Sequence, residues 1–159
     1  MWLKRLSGTR GEYLYTWEGL DKMSEKSRYI NTDLEIVSPF NLGDLVNVLN
    51  ERCDLLHGEK EEDGLWHICV EAHGSGITGS PEHSPDRDIE ELLKVLETLK
   101  DETIAQLKKS EKLDFNVGWY SSEKHHGSKF TVTNALLGRI ANIGATLTVT
   151  IYPCEENER

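Results

Sequence analysis

The amphipathic stretch at residues 84–110 constrains the fold of this chain most strongly. Its apolar residues recur at steps of three and four, which places them on one face of a helix with 3.6 residues per turn. Pro85 directly after Ser84 is typical of a helix start, and Lys108 and Lys109 suit the negative end of the helix dipole. The pattern therefore predicts one long helix. Its buried face would carry Ile89, Leu92, Leu93, Leu96, Leu99, Ile104 and Leu107.

Two segments with the same order of elements flank this helix. Residues 32–72 read strand, helix, strand, with an acidic turn at 58–64, and residues 113–153 read strand, helix, strand again. Each crossover is long enough to hold a helix, so the two strands of each segment should be parallel. The sequence thus predicts an α+β, ferredoxin-like fold in which the long helix joins two strand-helix-strand units. The sheet would be mainly antiparallel, with the helices on one face. The four strands are predicted at residues 29–37, 65–73, 113–121 and 146–152. Alternation places Leu34 and Ile36 of the first strand, and Phe115 and Val117 of the third, toward the core.

The chain is expected to form one domain, because 159 residues suffice to bury a single core. Residues 29–153 would form that core, and residues 154–159 an acidic tail. Residues 1–28 are expected to form an N-terminal extension or an edge hairpin. Aromatic residues alternate at Tyr13, Tyr15 and Trp17, which is typical of a short strand.

The net charge of −10 opposes binding to nucleic acids and to anionic membranes, because both need a basic surface. The sequence has no run of about 18 apolar residues that could span a bilayer and no apolar signal-peptide core. Cys53, Cys69 and Cys154 are odd in number and widely spaced, which is typical of reduced thiols. These features predict a cytoplasmic protein.

One face of the predicted sheet is polar on every strand. If the helices cover the other face, the residues between the inward ones point away from the core. This polar face would meet water, bind a partner or ligand, or be covered by a second copy or by the N-terminal segment. The candidate partner- or ligand-binding residues are Asp33, Glu35, Glu71, Asn116, Tyr120 and Tyr152.

A row of possible metal ligands lies on the strand at residues 65–73. His67, Cys69, Glu71 and His73 alternate, so they share one face at roughly 6.6 Å per two-residue step. A neighbouring strand could add a carboxylate, and imidazole, thiolate and carboxylate together suit zinc. The alternative is isolated surface histidines and a shielded thiol.

Two further motifs give little support for a cofactor-binding or catalytic site. Residues 74–79 match a dinucleotide-binding glycine pattern, but Pro81 and Pro85 separate the glycines from the next helix, where a pyrophosphate would need to bind. His125 and His126 have no nucleophile or paired carboxylate beside them in the sequence. The sequence therefore predicts no cofactor other than zinc at the metal row.

The C-terminal part resembles a known family. Residues 136–152 contain a short amphipathic helix, the sequence Ile143-Gly144-Ala145, and an alternating strand, and this ending is similar to that of small bacterial proteins classed as domain of unknown function 4279. Residues 33–36, the strand with Trp66 and the long helix are similar in order and spacing, so the resemblance covers residues 30–153. The chain departs from the family at the N-terminal segment and at residues 55–63. The resemblance implies a fold and no residue roles.

Three hypotheses for function follow. The net charge, the polar face and the lack of assembled catalytic groups favour a non-enzymatic, cytosolic interaction module, immunity- or regulator-like, that binds another protein as a monomer or homodimer. The alternative is a metal-binding module or metal-dependent enzyme with its site at His67, Cys69, Glu71 and His73. The third is a small-molecule sensor in which Tyr120, Tyr152 and the N-terminal aromatic residues line a cleft.

Overall fold

The computed structural model describes residues 27–75, 83–121 and 129–153. The interpretations of residues 12–17, of His125 and His126 and of the acidic tail lie outside the described residues. Within the described ranges the chain forms five strands and four helices. In chain order these are β1 (Arg28–Ser38), α1 (Gly43–Arg52), β2 (Asp54–Lys60), β3 (Trp66–Glu71), α2 (Pro85–Leu96), α3 (Asp101–Leu107), β4 (Lys112–Tyr120), α4 (Asn134–Asn142) and β5 (Thr146–Tyr152).

The five strands form one mixed sheet in the order β2-β3-β1-β4-β5, which confirms the α+β class. The pairs β2/β3, β3/β1 and β1/β4 are antiparallel, and β4/β5 is parallel. The parallel pair with α4 between its strands confirms the second predicted strand-helix-strand unit. Gly144, expected in the left-handed conformation after α4, has a φ of 77°.

The predicted pairing in the first unit is wrong. The segment interpreted as an acidic turn at 58–64 begins inside a strand, β2, which pairs with β3. Because β2 reverses into β3, β3 runs antiparallel to β1 instead of parallel to it. The sequence did not indicate β2 because this strand lies at the edge of the sheet. Charged residues such as Glu59 and Lys60 are tolerated there, so apolar and polar residues do not alternate clearly.

The prediction of one long helix at 84–110 is also wrong, because the chain leaves the helix after Leu96 and starts α3 at Asp101. The Thr98 hydroxyl donates to the Val95 carbonyl at 2.7 Å, and Arg52 of α1 donates to the Thr98 hydroxyl at 2.7 Å. A threonine that bonds to the backbone in this way competes with continued helix. The apolar spacing runs through both helices, so periodicity alone could not show the break.

A single buried cluster joins the helices to one face of the sheet. Leu34 and Ile36 of β1 and Phe115 and Val117 of β4 are fully buried in it, as the alternation predicted. The apolar residues of β5 differ from this pattern, since Val149 is 45% exposed and Ile151 is 67% exposed. The opposite side of the sheet, which the helices of the described ranges leave uncovered and which is called the open face below, carries the polar residues of β1, β3 and β4.

Candidate functional site

Four of the predicted binding residues meet at the centre of the open face. Asp33 of β1 lies directly opposite Glu71 of β3 on one side and opposite Asn116 of β4 on the other. Glu35 lies two residues further along β1, on the same face and opposite Cys69. We call Asp33, Glu35 and Glu71 the acidic cluster.

Hydrogen bonds hold the carboxylates of the acidic cluster in place. Asn31 Nδ2 donates to Asp33 Oδ1 at 2.9 Å and to Glu71 Oε1 at 2.7 Å. Ser75 Oγ donates to Glu71 Oε2 at 3.0 Å, and Glu71 is only 8% exposed. The side chains are therefore positioned before any partner arrives, which reduces the entropy lost on binding.

The proximity of these acids changes the chemistry of Asp33. Burial raises the pKa of its carboxyl most, the charge of Glu71 and a hydrogen bond with Glu71 raise it further, and Glu35 adds a smaller effect, so that the pKa reaches about 7. A second negative charge close to that of Glu71 is unfavourable, so the protonated form of Asp33 is favoured. The cluster thus holds a proton near neutral pH.

One basic side chain and several neutral polar side chains border the acidic cluster. Glu35 pairs with the Lys112 ammonium and accepts from Asn116 Nδ2 at 3.3 Å. Asn116 in turn accepts from the Thr150 hydroxyl of β5 at 2.7 Å. Within the part of the chain that the structure describes, Lys112 pairs with Glu35, whereas Asp33 and Glu71 lie in no ion pair, so negative charge is in surplus at these two residues.

The two predicted tyrosines lie elsewhere on the sheet. Tyr120 and Tyr152 are register partners at the far end of β4 and β5, with ring centroids 6.0 Å apart. The Arg28 guanidinium lies 5.2 Å from the centroid of the Tyr120 ring. The predicted binding set therefore divides into the acidic cluster with Asn116 and a separate tyrosine pair.

The predicted metal row does not converge. His67 Nε2 lies 2.8 Å from Asp63 Oδ2, and His73 Nδ1 lies 2.7 Å from Asp54 Oδ1. Among the described residues, no three of His67, Cys69, Glu71 and His73 bring their ligand atoms within 4.8 Å of one another. Residues two apart on a strand are roughly 6.6 Å apart, so one strand alone does not surround an ion.

Cys69 is a poor nucleophile in this environment. Burial raises the pKa of its thiol most, and the charges of Asp33, Glu35 and Glu71 raise it further, to about 12. The thiol therefore stays protonated at neutral pH, whereas the thiolate is the reactive form.

A second polar network, which the sequence did not indicate, anchors the start of α2. Asp88 is 0% exposed, accepts a hydrogen bond from Tyr29 Oη at 2.6 Å, and lies 2.9 Å from His83 Nδ1. Tyr29 Oη is also 2.7 Å from Thr32 Oγ1, and burial together with Asp88 raises the pKa of the Tyr29 phenol above its ordinary value. In the sequence, Asp88 resembles an ordinary acidic residue of a first helical turn, so only the tertiary structure shows its partners.

The family model described as domain of unknown function (DUF4279) matches residues 49–153. The chain belongs to this family. The matched part contains β2, β3, β4 and β5 but not β1, so Asp33 and Glu35 lie outside it. No curated protein and no solved structure matches the chain. Among the described helices, none is both long enough and apolar enough to cross a bilayer.

Proposed function

We propose that the protein is a non-enzymatic interaction module whose open face binds a basic segment of a partner protein at Asp33, Glu35 and Glu71. The observation that carries this proposal is the surplus of fixed carboxylates at the centre of the sheet, where among the described residues Lys112 pairs with Glu35, and Asp33 and Glu71 are held by hydrogen bonds from Asn31 without an ion pair. A lysine or arginine from a partner would supply the missing positive charge.

The electrostatics of the cluster favour a cationic ligand. In the free protein a proton limits the repulsion between Asp33 and Glu71. A cationic side chain at the same place would replace this proton and pair with both carboxylates, and an arginine could do so through two parallel hydrogen bonds. Perturbed carboxyls of this kind concentrate at functional sites.

A binding role is supported over a catalytic one by the state of the groups around the cluster. The Cys69 thiol is held in its protonated form. His67 and His73 pair with Asp63 and Asp54 rather than with the cluster. The cluster therefore offers charge and fixed geometry but no activated nucleophile among the described residues.

The proposal predicts that the partner depends on the acidic cluster and not on net charge. Affinity purification from the native host, followed by quantitative mass spectrometry, would compare wild type with the double variant Asp33→Asn/Glu35→Gln. The matched control is Asp44→Asn/Glu51→Gln, which removes the same two charges from exposed positions on α1. We expect the control to recover the partner like wild type, and the cluster variant to recover at least about tenfold less, because paired buried charges contribute several kcal/mol.

Equal recovery of the partner by both double variants would contradict the proposal. A second readout uses the recovered partner directly: its affinity should rise as the pH is raised through about 7 and then level off, because binding releases the proton held at Asp33. The charged groups beside Asp33 are Glu71, Glu35 and, through Glu35, Lys112, and the Cys69 thiol next to them stays neutral.

The ferredoxin-like description of the fold is also retained as a proposal. It is supported by the first four strands, since β1 and β2 are joined by α1 and lie on either side of β3, with β4 on the other side of β1. Strand β5 would then be an addition to a four-stranded core. A cytoplasmic location, a single domain and a monomeric or homodimeric state stay predictions.

A further inference from the structure

Four potential metal ligands meet at the hairpin between β2 and β3, away from the acidic cluster. They are His57 of β2, Glu61 and Asp63 of the turn, and His67 of β3. We call them the hairpin cluster. It shares His67 with the metal row predicted from the sequence, but its other members are different residues.

Three donor atoms of the hairpin cluster lie close to one another, and His57 contacts this group through Glu61. His67 Nε2 lies 2.8 Å from Asp63 Oδ2 and 3.9 Å from Glu61 Oε2, and His57 Nε2 lies 3.0 Å from Glu61 Oε1. The ligand atoms of Glu61, Asp63 and His67 all lie within 4.8 Å of one another. A tetrahedral ion with bonds of about 2.0–2.1 Å needs donors about 3.3 Å apart, so Glu61, Asp63 and His67 are near this spacing and the His57 ring would turn toward them to complete the site.

The backbone of the turn fixes the acidic donors. The Leu65 N–H donates to Asp63 Oδ1 at 2.8 Å, which directs Oδ2 toward His67. The Glu61 N–H donates to the Leu65 carbonyl at 2.9 Å, and Gly64 closes the turn with a φ of 84°. The pairing of β2 with β3 shifts register between Leu55 and His57, and such irregularities redirect side chains.

The environment of His57 is a second observation that favours a cation at this site. His57 Nε2 is shielded from solvent and makes no hydrogen bond to any part of the chain that the structure describes, although it lies 3.0 Å from a Glu61 oxygen. A shielded ring nitrogen that contacts a carboxylate without a well-directed hydrogen bond is unusual, because most shielded polar atoms in native proteins are hydrogen-bonded. A metal ion beside Glu61 would accept the lone pair of this nitrogen.

We propose that His57, Glu61, Asp63 and His67 form a binding site for a divalent transition-metal ion such as Zn²⁺. Two imidazoles and two carboxylates are a donor set for zinc and its neighbours, whereas Mg²⁺ and Ca²⁺ prefer oxygen ligands alone. Two neutral imidazoles and two carboxylates also balance a charge of two. The ion would fasten the β2–β3 hairpin, and this inference is independent of the proposed binding of a basic partner.

The test is a titration of the untagged, full-length, metal-stripped protein with Zn²⁺ by isothermal calorimetry. We expect wild type to bind one Zn²⁺, and His67→Ala and Asp63→Asn each to weaken the affinity at least about tenfold, since even loss of an outer-shell partner typically costs that much. The matched control is His73→Ala, which removes another exposed histidine paired with an aspartate. It should bind Zn²⁺ like wild type, as should Asp33→Asn/Glu35→Gln.

The variants of the hairpin cluster alter exposed side chains, with exposed fractions from 28% for His67 to 47% for Asp63, so we expect them to fold. Circular dichroism would verify this, and Glu61→Gln offers a milder variant of a third ligand. Titration with Co²⁺ gives a spectroscopic readout, because its visible absorption reports tetrahedral nitrogen and oxygen ligands. No binding by wild type, unchanged affinity in His67→Ala, or an equal loss in His73→Ala would each overturn the proposal.

Discussion

Replacement of Asp88 by alanine is expected to lower the free energy of unfolding by about 3–5 kcal/mol, the cost typical of breaking a buried, hydrogen-bonded charge pair. The Asp88 carboxylate is fully buried and holds both the Tyr29 hydroxyl of β1 and the His83 ring before α2. Without it, the buried Tyr29 hydroxyl and the His83 ring lose their acceptor. Urea unfolding would measure the change as a lower midpoint at an unchanged slope.

Two variants check the cause of this loss. Asp86 is also an acidic residue of the first turn of α2 but is exposed, so Asp86→Ala should leave the unfolding midpoint nearly unchanged. Tyr29→Phe removes one donor and should lower the free energy of unfolding by about 1 kcal/mol. If Asp88→Ala were no more destabilising than Asp86→Ala, the network would not anchor α2.

A second large effect is expected from the acidic cluster. The folded-state pKa of Asp33, about 7, lies above the value near 3.9 of an unfolded aspartate, so the folded state binds more protons between these two values. The contribution of Asp33 to stability is therefore fully present below about pH 4 and is lost as the pH rises through about 7. Asp33→Asn should remove this pH dependence. Above pH 7 its free energy of unfolding should exceed that of wild type by about 1–3 kcal/mol.

The comparison of Asp33→Asn with wild type across pH isolates this one group. Hydrogen bonds lower the pKa values of Asp63 and Glu97, so the contributions of these two residues to stability are lost as the pH falls. This loss is the same in Asp33→Asn and in wild type. Asp44→Asn, at an exposed position of α1, serves as the control for charge removal. Stability profiles of Asp33→Asn and wild type that ran parallel from acid to neutral pH would contradict the account of the cluster.

Alternation predicted the strands with one buried face well. Leu34 and Ile36 were placed in the core and Asp33 and Glu35 on the open face, because a strand buried on one side leaves a two-residue period in the sequence. The edge strand β2 leaves no such period, and the interruption near Thr98 leaves the three- and four-residue spacing intact. The wrong pairing of the first unit follows from the missed strand.

The candidate sites could likewise be predicted only in part. The face on which Asp33, Glu35, Glu71 and Asn116 lie could be predicted, whereas the opposition of Asp33 to Glu71 depends on strand register, which no single sequence shows. The hairpin cluster was missed because His57 lies in the unrecognised strand, and Glu61 and Asp63 were assigned to a solvated acidic turn. Tertiary pairing brings these donors to His67.

The most direct test of the acidic cluster is a titration of the side-chain carboxyl carbons by NMR in the free protein. Our account predicts that the Asp33 carboxyl titrates with a midpoint near pH 7, because burial and the nearby charge of Glu71 oppose its ionisation. A midpoint for Asp33 near its ordinary value of about 4 would show that the two charges do not repel strongly. The physical basis for binding a basic partner at this face would then be lost.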